Sequence, residues 1–236
     1  MKGLVNYQFK TFVKSSRFIM PMAVYLILMV MISSGAIKSV VSVMAISTVV
    51  LYFLMVWSGF VFSDSEDIIA EQIAVLKAGN NKRYYTSKVV FIMCWGIGYA
   101  VIGTFIPIIW AIIGGFDDFT LMNVLAGFLM QLFCCMLGGN IGLLWHPRVM
   151  NDRKIAAIGA FSVSAMGLIC GPLSQEFGFL MFLRWICPPI YNILDECGMR
   201  EASLDLVNLA LPLGWCFGYT IILGIIIVSV LNKKGF

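Results

Sequence analysis

Apolar residues in this chain run in blocks longer than a soluble fold uses: Phe18–Ile37, Val40–Phe62, Val89–Ile113, Leu121–Trp145, Ile155–Leu173 and Leu206–Leu231. One helical crossing of a bilayer needs about 20 predominantly apolar residues, so the pattern predicts six transmembrane helices. The first run is the weakest, because Ser33, Ser34 and Gly35 dilute its far end. The N-terminus is basic, yet no small-residue cleavage site follows a short apolar core, so this run is expected to be retained as a span. Ahead of it, over 5–17, Val5, Phe9, Phe12 and Val13 recur at helical spacing, while Asn6, Lys10, Lys14 and Arg17 line the opposite face. That periodicity predicts an amphipathic interfacial helix with its cations near anionic headgroups.

A polar stretch, Ser63–Gly79, separates the second and third runs. Ser63 and Glu66, three apart, read as a capping box, with acids in the first turn, Lys77 in the last and Gly79 just beyond. The spacing predicts a helix over 64–78, with Ile69, Ile73 and Leu76 on one edge and Asp67 and Glu71 on another. Such a helix could lie on the bilayer with its apolar edge down and its acids in solvent. Acids beside an anionic leaflet are unfavourable, which turns the expectation towards a protein partner offering a groove with a basic rim. A second segment, 176–205, contains Phe177–Leu194, apolar enough to imitate a seventh span. A crossing there would place Arg184 at mid-membrane, and Cys187-Pro188-Pro189 would break the helix. The segment is expected to form an outer re-entrant helical hairpin before the last span, its irregular backbone covered by protein. The expected fold is all-α: one polytopic membrane domain over 1–236.

Charge orients this domain. The chain is 61% hydrophobic and 12% charged, about half the charged fraction of a soluble protein. Thirteen of the 16 basic residues lie before the first run, between the second and third, between the fourth and fifth, or after the sixth; Lys38, Arg184 and Arg200 are the exceptions. The positive-inside rule then puts both termini in the cytoplasm. The net charge of +4 reflects this asymmetry, and no basic cluster away from the span flanks points to nucleic acid. Glycine pairs four apart (Gly138 and Gly142, Gly167 and Gly171, Gly214 and Gly218) allow close helix contact, either within one subunit or at a dimer seam. Cys187 and Cys197 fall in the outer segment and could pair there.

Catalysis has little to work with. His146, the only histidine, abuts Pro147 at the end of the fourth run; it reads as an interfacial residue, a pH-sensing role being the alternative. No zinc-type Cys/His spacing occurs, and no serine–base pair is set for nucleophilic attack within the membrane. No catalytic or metal residue is therefore assigned. The six runs hold no Asp or Glu, which ion-coupled transport would require; their deepest polar groups are Ser47, Thr48, Thr104, Gln131, Asn140, Ser162 and Ser164. These are expected to hydrogen-bond between helices. No phosphate-cradling glycine loop with a following Lys-Ser or Lys-Thr is present. Any nucleotide-driven work must come from another chain.

At two places the residues resemble a known family. Lys14-Ser15-Ser16-Arg17-Phe18-Ile19-Met20-Pro21 looks like the entrance to the first span of ABC-2 type ABC transporter permeases. Glu71-Gln72-Ile73-Ala74-Val75-Leu76-Lys77 followed by Asn81-Lys82-Arg83-Tyr84-Tyr85-Thr86-Ser87-Lys88 looks like their first cytoplasmic loop. The six-run layout and the apolar segment before the last run agree. The resemblance implies a dimerising permease whose coupling helix, here 64–78, docks on a separate ATPase carrying ATP and magnesium. Glu66, Asp67, Glu71 and Lys77 would make that contact, with Arg148 in the short 146–154 loop as a lesser one. It implies a translocation route along the second and fifth spans, with Tyr52, Met55, Trp57, Ser162, Ser164 and Met166 as candidates, although core packing is the ordinary role of such residues. The family includes exporters of amphipathic peptides, drugs and lipids in prokaryotic inner membranes, and this lining favours peptides. Two other classes fit the composition: a membrane-embedded substrate-binding component of an importer, and an assembly protein that transports nothing.

Overall fold

The chain begins with a helix whose 72° bend into the next one sets the shape of its basic end. The structure is a computed structural model and describes residues 1–33, 39–116, 118–177, 187–198 and 206–233. In chain order these form α1 (Lys2–Lys14), α2 (Ile19–Ser33), α3 (Val40–Ser63), α4 (Ile68–Ala78), α5 (Asn81–Gly114), α6 (Leu121–Leu144), α7 (Arg153–Glu176), α8 (Ile190–Gly198) and α9 (Leu206–Lys233). Among the described residues there is no strand. Helices α3, α5, α6, α7 and α9 are long and apolar enough to cross a bilayer, and a sixth crossing arises only if α1 and α2 are counted as one broken span. The expected first span is present as α2, 15 residues long; a helix of that length rises about 22 Å, short of the roughly 30 Å hydrocarbon core. Its expected continuation, 34–37, lies outside the described residues. The chain is a multi-pass helical membrane protein.

Local chemistry sets the helix ends. The α5–α6 connection supplies the cap of α3: Asp118 Oδ1 accepts from Val40 N at 2.9 Å, and its Oδ2 accepts from Val41 N at 3.2 Å and Ser39 Oγ at 2.8 Å. Asp152 Oδ1 caps α7 by accepting from Lys154 N and Ile155 N. Helix α5 starts at Asn80, whose Oδ1 accepts from Lys82 N at 2.9 Å. It runs for 34 residues, about 51 Å, some 20 Å more than the hydrocarbon core requires. The stretch Asn81–Lys88, expected as part of a loop, is thus the projecting foot of α5.

Helix α3 forms the centre and packs most extensively on α6. Small residues bring their backbones together: a Cβ on Gly138 or Gly142 would strike the carbonyl oxygen of Tyr52 or Val56, and one on Gly59 would strike that of Gly139. The first glycine pair therefore packs within the subunit. Gly167 and Gly171 of α7 seat Pro188 and the Tyr191 ring, whereas Gly214 and Gly218 face open space. The apolar interior also holds a polar knot. Gln131 Nε2 donates to Ser47 Oγ at 3.2 Å, Thr104 Oγ1 donates to Gln131 Oε1 at 2.9 Å, and Tyr25 OH lies 3.0 Å from Ser47 Oγ. It joins α2, α3, α5 and α6. Asn140 Nδ2 reaches Thr220 O across to α9. Thr48 and Ser164, expected to bond between helices, donate instead to Met44 O and Ala160 O of their own helices.

In α1, Gln8 and Phe12 are buried against the bundle, while Phe9 is 48% and Val13 37% exposed. Phe12 sits among the rings of Phe18, Phe62, Phe91 and Trp95, centroids 5.2 to 6.1 Å away. Aromatic pairs of this kind each add about 0.5–1.5 kcal/mol beyond the area they bury. In the outer segment, α8 is described, whereas 178–186, 199–205 and the Cys197 side chain lie outside the described residues. The Cys187 thiol faces Cys170 of α7, with Sγ atoms 2.9 Å apart, both cysteines being free.

Candidate functional site

The residues that could receive an outside force gather at the basic end, where α4, the foot of α5 and the α6–α7 turn meet. The predicted capping box does not form. Helix α3 runs through Ser63, so Ser63 Oγ donates to Phe60 O at 2.6 Å instead of opening a new helix. Glu66 is released from capping and accepts from Tyr84 OH and from Lys88 Nζ, the latter at 3.1 Å. Helix α4 starts at Ile68, four residues later than expected. Asp67 is its N-cap position but makes no side-chain cap bond. It ends as the sequence indicates, with Lys77 in the last turn and Gly79 at φ +70°.

Below α4 lies a charge cluster shut off from solvent. Lys88 Nζ contacts Glu66 at 3.1 Å and Glu71 Oε1 at 3.2 Å, and it lies 3.3 Å from His146 Nε2. Arg148 Nε donates to Glu71 Oε2 at 3.0 Å. The Lys88, Glu66 and Glu71 side chains are 1%, 3% and 4% exposed. Two carboxylates and two cations balance, as burial of charge demands. His146 Nδ1 accepts from Arg148 N at 3.3 Å. Burial, and then the cations Lys88, Arg148 and Arg153, hold its pKa well below the ordinary imidazole value. Its ring is therefore neutral at pH 7.

A second clamp lies alongside. Arg153 binds Asp64 through Nη2 at 2.6 Å, donates from Nη1 to Trp145 O at 2.8 Å, and stacks its guanidinium 4.3 Å from the Phe60 ring. Arg17, at the entrance to α2, donates to Asp64 O at 2.6 Å. Fork-shaped guanidinium contacts fix geometry as well as charge. Glu71 thus ties α4 to α5 and the α6–α7 turn, while Asp64 ties the end of α3 to the entrance of α2 and to α7.

The outer surface of α4 is apolar. Ile69 is 71%, Ile73 49% and Leu76 78% exposed. Ile73 also borders a groove of about 390 Å³ between α1 and α4, lined by Leu4, Tyr7, Ala70, Ala74 and Lys77. The helix thus turns over relative to the expectation: Glu66 and Glu71, read as contact residues on a solvent-facing edge, point inward because Lys88 and Arg148 require counter-charge there. Asp67 and Lys77 remain exposed, and Arg148 is half-buried, bridging the turn to Glu71. Of the charged residues within and just after α4 in sequence, the cations Lys77, Lys82 and Arg83 are exposed.

Among the described residues, the six candidate path residues lie in differing surroundings. Tyr52 and Met55 are fully buried in separate apolar clusters, and Ser164 is buried. Trp57 is half-buried, whereas Ser162 and Met166 are exposed. Sequence reasoning missed Lys88, His146 and Tyr84 as one unit. The available signal was Lys88 itself, a cation opening a long apolar run, eleven residues beyond Lys77. Among the described residues no group of three or more His, Cys, Asp or Glu side chains could hold a metal ion. No protein-family model, curated protein or solved structure matches this chain.

Proposed function

We propose that this chain is the membrane-spanning permease subunit of an ATP-driven exporter in a prokaryotic inner membrane. In this reading both termini and α4 are cytoplasmic, and a second permease subunit completes the transporter. One observation carries the reading: a short helix, its acids buried in ion pairs with the feet of the spans, presents Ile69, Ile73 and Leu76 to the outside. An apolar edge held on a rigid, charge-locked base is suited to receive a partner and transmit its movement. The partner is an ATPase binding ATP and magnesium, because this chain has neither a nucleotide loop nor acids in its apolar runs. The ATPase surface is apolar with an acidic rim, matching the exposed Lys77, Lys82 and Arg83. Asp67 and Lys77 touch it; Glu66, Glu71 and Arg148 anchor α4 to the spans. Closure of the ATPase dimer pushes α4, and the ion pairs pass that push to α5 and to the α6–α7 turn, switching access across the membrane. The cargo is hydrophobic or amphipathic, with a peptide favoured.

Affinity purification of the full chain from its native membrane, read by mass spectrometry, tests this. An ATPase recovered in equal numbers with the chain is the expected result. A ligand-loaded chain without ATPase overturns the proposal in favour of a membrane-embedded binding component.

A further inference from the structure

A groove of about 590 Å³ runs between α5 and α9 from the basic end into the apolar part of the bundle. Its two walls carry the same gradient. On α5, Lys82 stands at the mouth, then Thr86, then Val90 and Met93. On α9, read inward, Lys233 stands at the mouth, then Ser229, then Ile225 and Ile221, each four residues from the next on one face. The floor is closed where α9 meets α5: a Cβ on Gly224 would come within 3.2 Å of Val89 Cγ1. Among the described residues, no acidic one lines the groove. Both lysines are exposed, and neither has a carboxylate partner among the described residues.

From Lys82 to Met93 the wall rises about 16 Å, half of a hydrocarbon core roughly 30 Å thick. The groove is therefore one leaflet deep, cationic at its mouth and apolar at its base. The positive end of the α5 dipole lies beside Lys82. An uncharged lipid would leave both ammonium groups without a counter-ion. A soluble anion would leave the apolar walls uncovered. We propose that this groove is a binding site for one anionic phospholipid, its phosphate between Lys82 and Lys233 and an acyl chain between Val90–Met93 and Ile221–Ile225. Lys82 also belongs to the cationic rim proposed to meet the ATPase, so the test reads lipid retention by the purified chain without ATPase.

Native mass spectrometry of the purified full chain, offered equal amounts of phosphatidylglycerol and phosphatidylcholine with identical chains, tests the site. Preferential retention of one phosphatidylglycerol per chain is expected. The double variant Lys82→Gln, Lys233→Gln, which touches only exposed side chains, should weaken that retention about thirty-fold, at the strength expected of two cations beside an anionic surface. Ser229→Trp, which fills the groove but leaves the lysines, should abolish it. Equal retention of both lipids, or retention unchanged by the lysine double variant, overturns the proposal. So does displacement of the lipid by glycerol phosphate alone, which would assign the site to a soluble phosphate. Efficient disulfide cross-linking of Ser229→Cys between two chains in lipid nanodiscs would place a second copy in the groove, and also overturns it.

Discussion

Replacing Lys88 by methionine isolates the buried charge cluster from everything else at the basic end. Methionine keeps the volume and the apolar stem, so packing against the Tyr84 ring is largely preserved. What disappears is the ammonium group within 3.1 Å of Glu66 and 3.2 Å of Glu71. Glu71 keeps Arg148 at 3.0 Å, but Glu66 loses its cation and keeps the Tyr84 hydroxyl. Removing one partner of a buried ion pair typically costs about 3–5 kcal/mol, because the remaining charge stays desolvated. On a chain of this size that corresponds to a loss of roughly 10 °C in melting temperature. The assay is thermal unfolding of the detergent-solubilised chain, followed by circular dichroism and by tryptophan fluorescence. A compensating variant is part of the design: Lys88→Met with Glu66→Gln removes cation and carboxylate together and should recover more than half of the loss. If Lys88→Met melts within about 1 kcal/mol of wild type, or Glu66→Gln fails to compensate, the cluster is not what fixes α4 to the spans.

Three further outcomes follow from the same geometry. The pKa of His146 is lowered in the folded state, so the folded chain binds fewer protons there than the unfolded chain. Stability should be flat above about pH 6.5 and fall by up to about 1.4 kcal/mol per unit between pH 6.5 and 5; His146→Gln should flatten this slope, as melts at three pH values will show. Asp118→Ala removes the acceptor of Val40 N, Val41 N and Ser39 Oγ at the start of α3 and should cost about 1–2 kcal/mol in the same melt. Leu76→Asp, at a position 78% exposed, should leave the melt within about 0.5 kcal/mol of wild type, so that any transport defect it causes is a defect of docking.

Much of this architecture was legible in the sequence because a bilayer enforces long apolar runs. The runs starting at Val40, Leu121, Ile155 and Leu206 became helices close to their expected bounds, and the Val89 run became one that starts eight residues earlier, at Asn81. Gly138 and Gly142 likewise announced a close helix contact, since only small side chains let backbones meet. The errors share a cause. A capping box at Ser63 and Glu66 is a local signal, and it lost to continuation of α3 and to the pull of Lys88 on a carboxylate 22 positions earlier. The acidic edge of α4 was read as solvent-facing because acids usually are. Only tertiary structure brings Lys88, His146 and Arg148 beneath Glu71. Asp118 was invisible for the same reason: its partners lie 77 to 79 residues away. Periodicity specified the helices; which face each turned inward depended on charges remote in sequence.

The central claim is that the exposed apolar edge of α4 is where an ATPase pushes. Its most direct measurement is paired affinity purification, from the native membrane, of wild-type chain and the Ile69→Asp, Leu76→Asp double variant, with co-purifying proteins quantified by mass spectrometry and each chain's melt recorded. The account requires an ATPase at one copy per wild-type chain and at least a tenfold loss from a double variant that melts normally. Equal ATPase with both chains, or none with wild type, would contradict it.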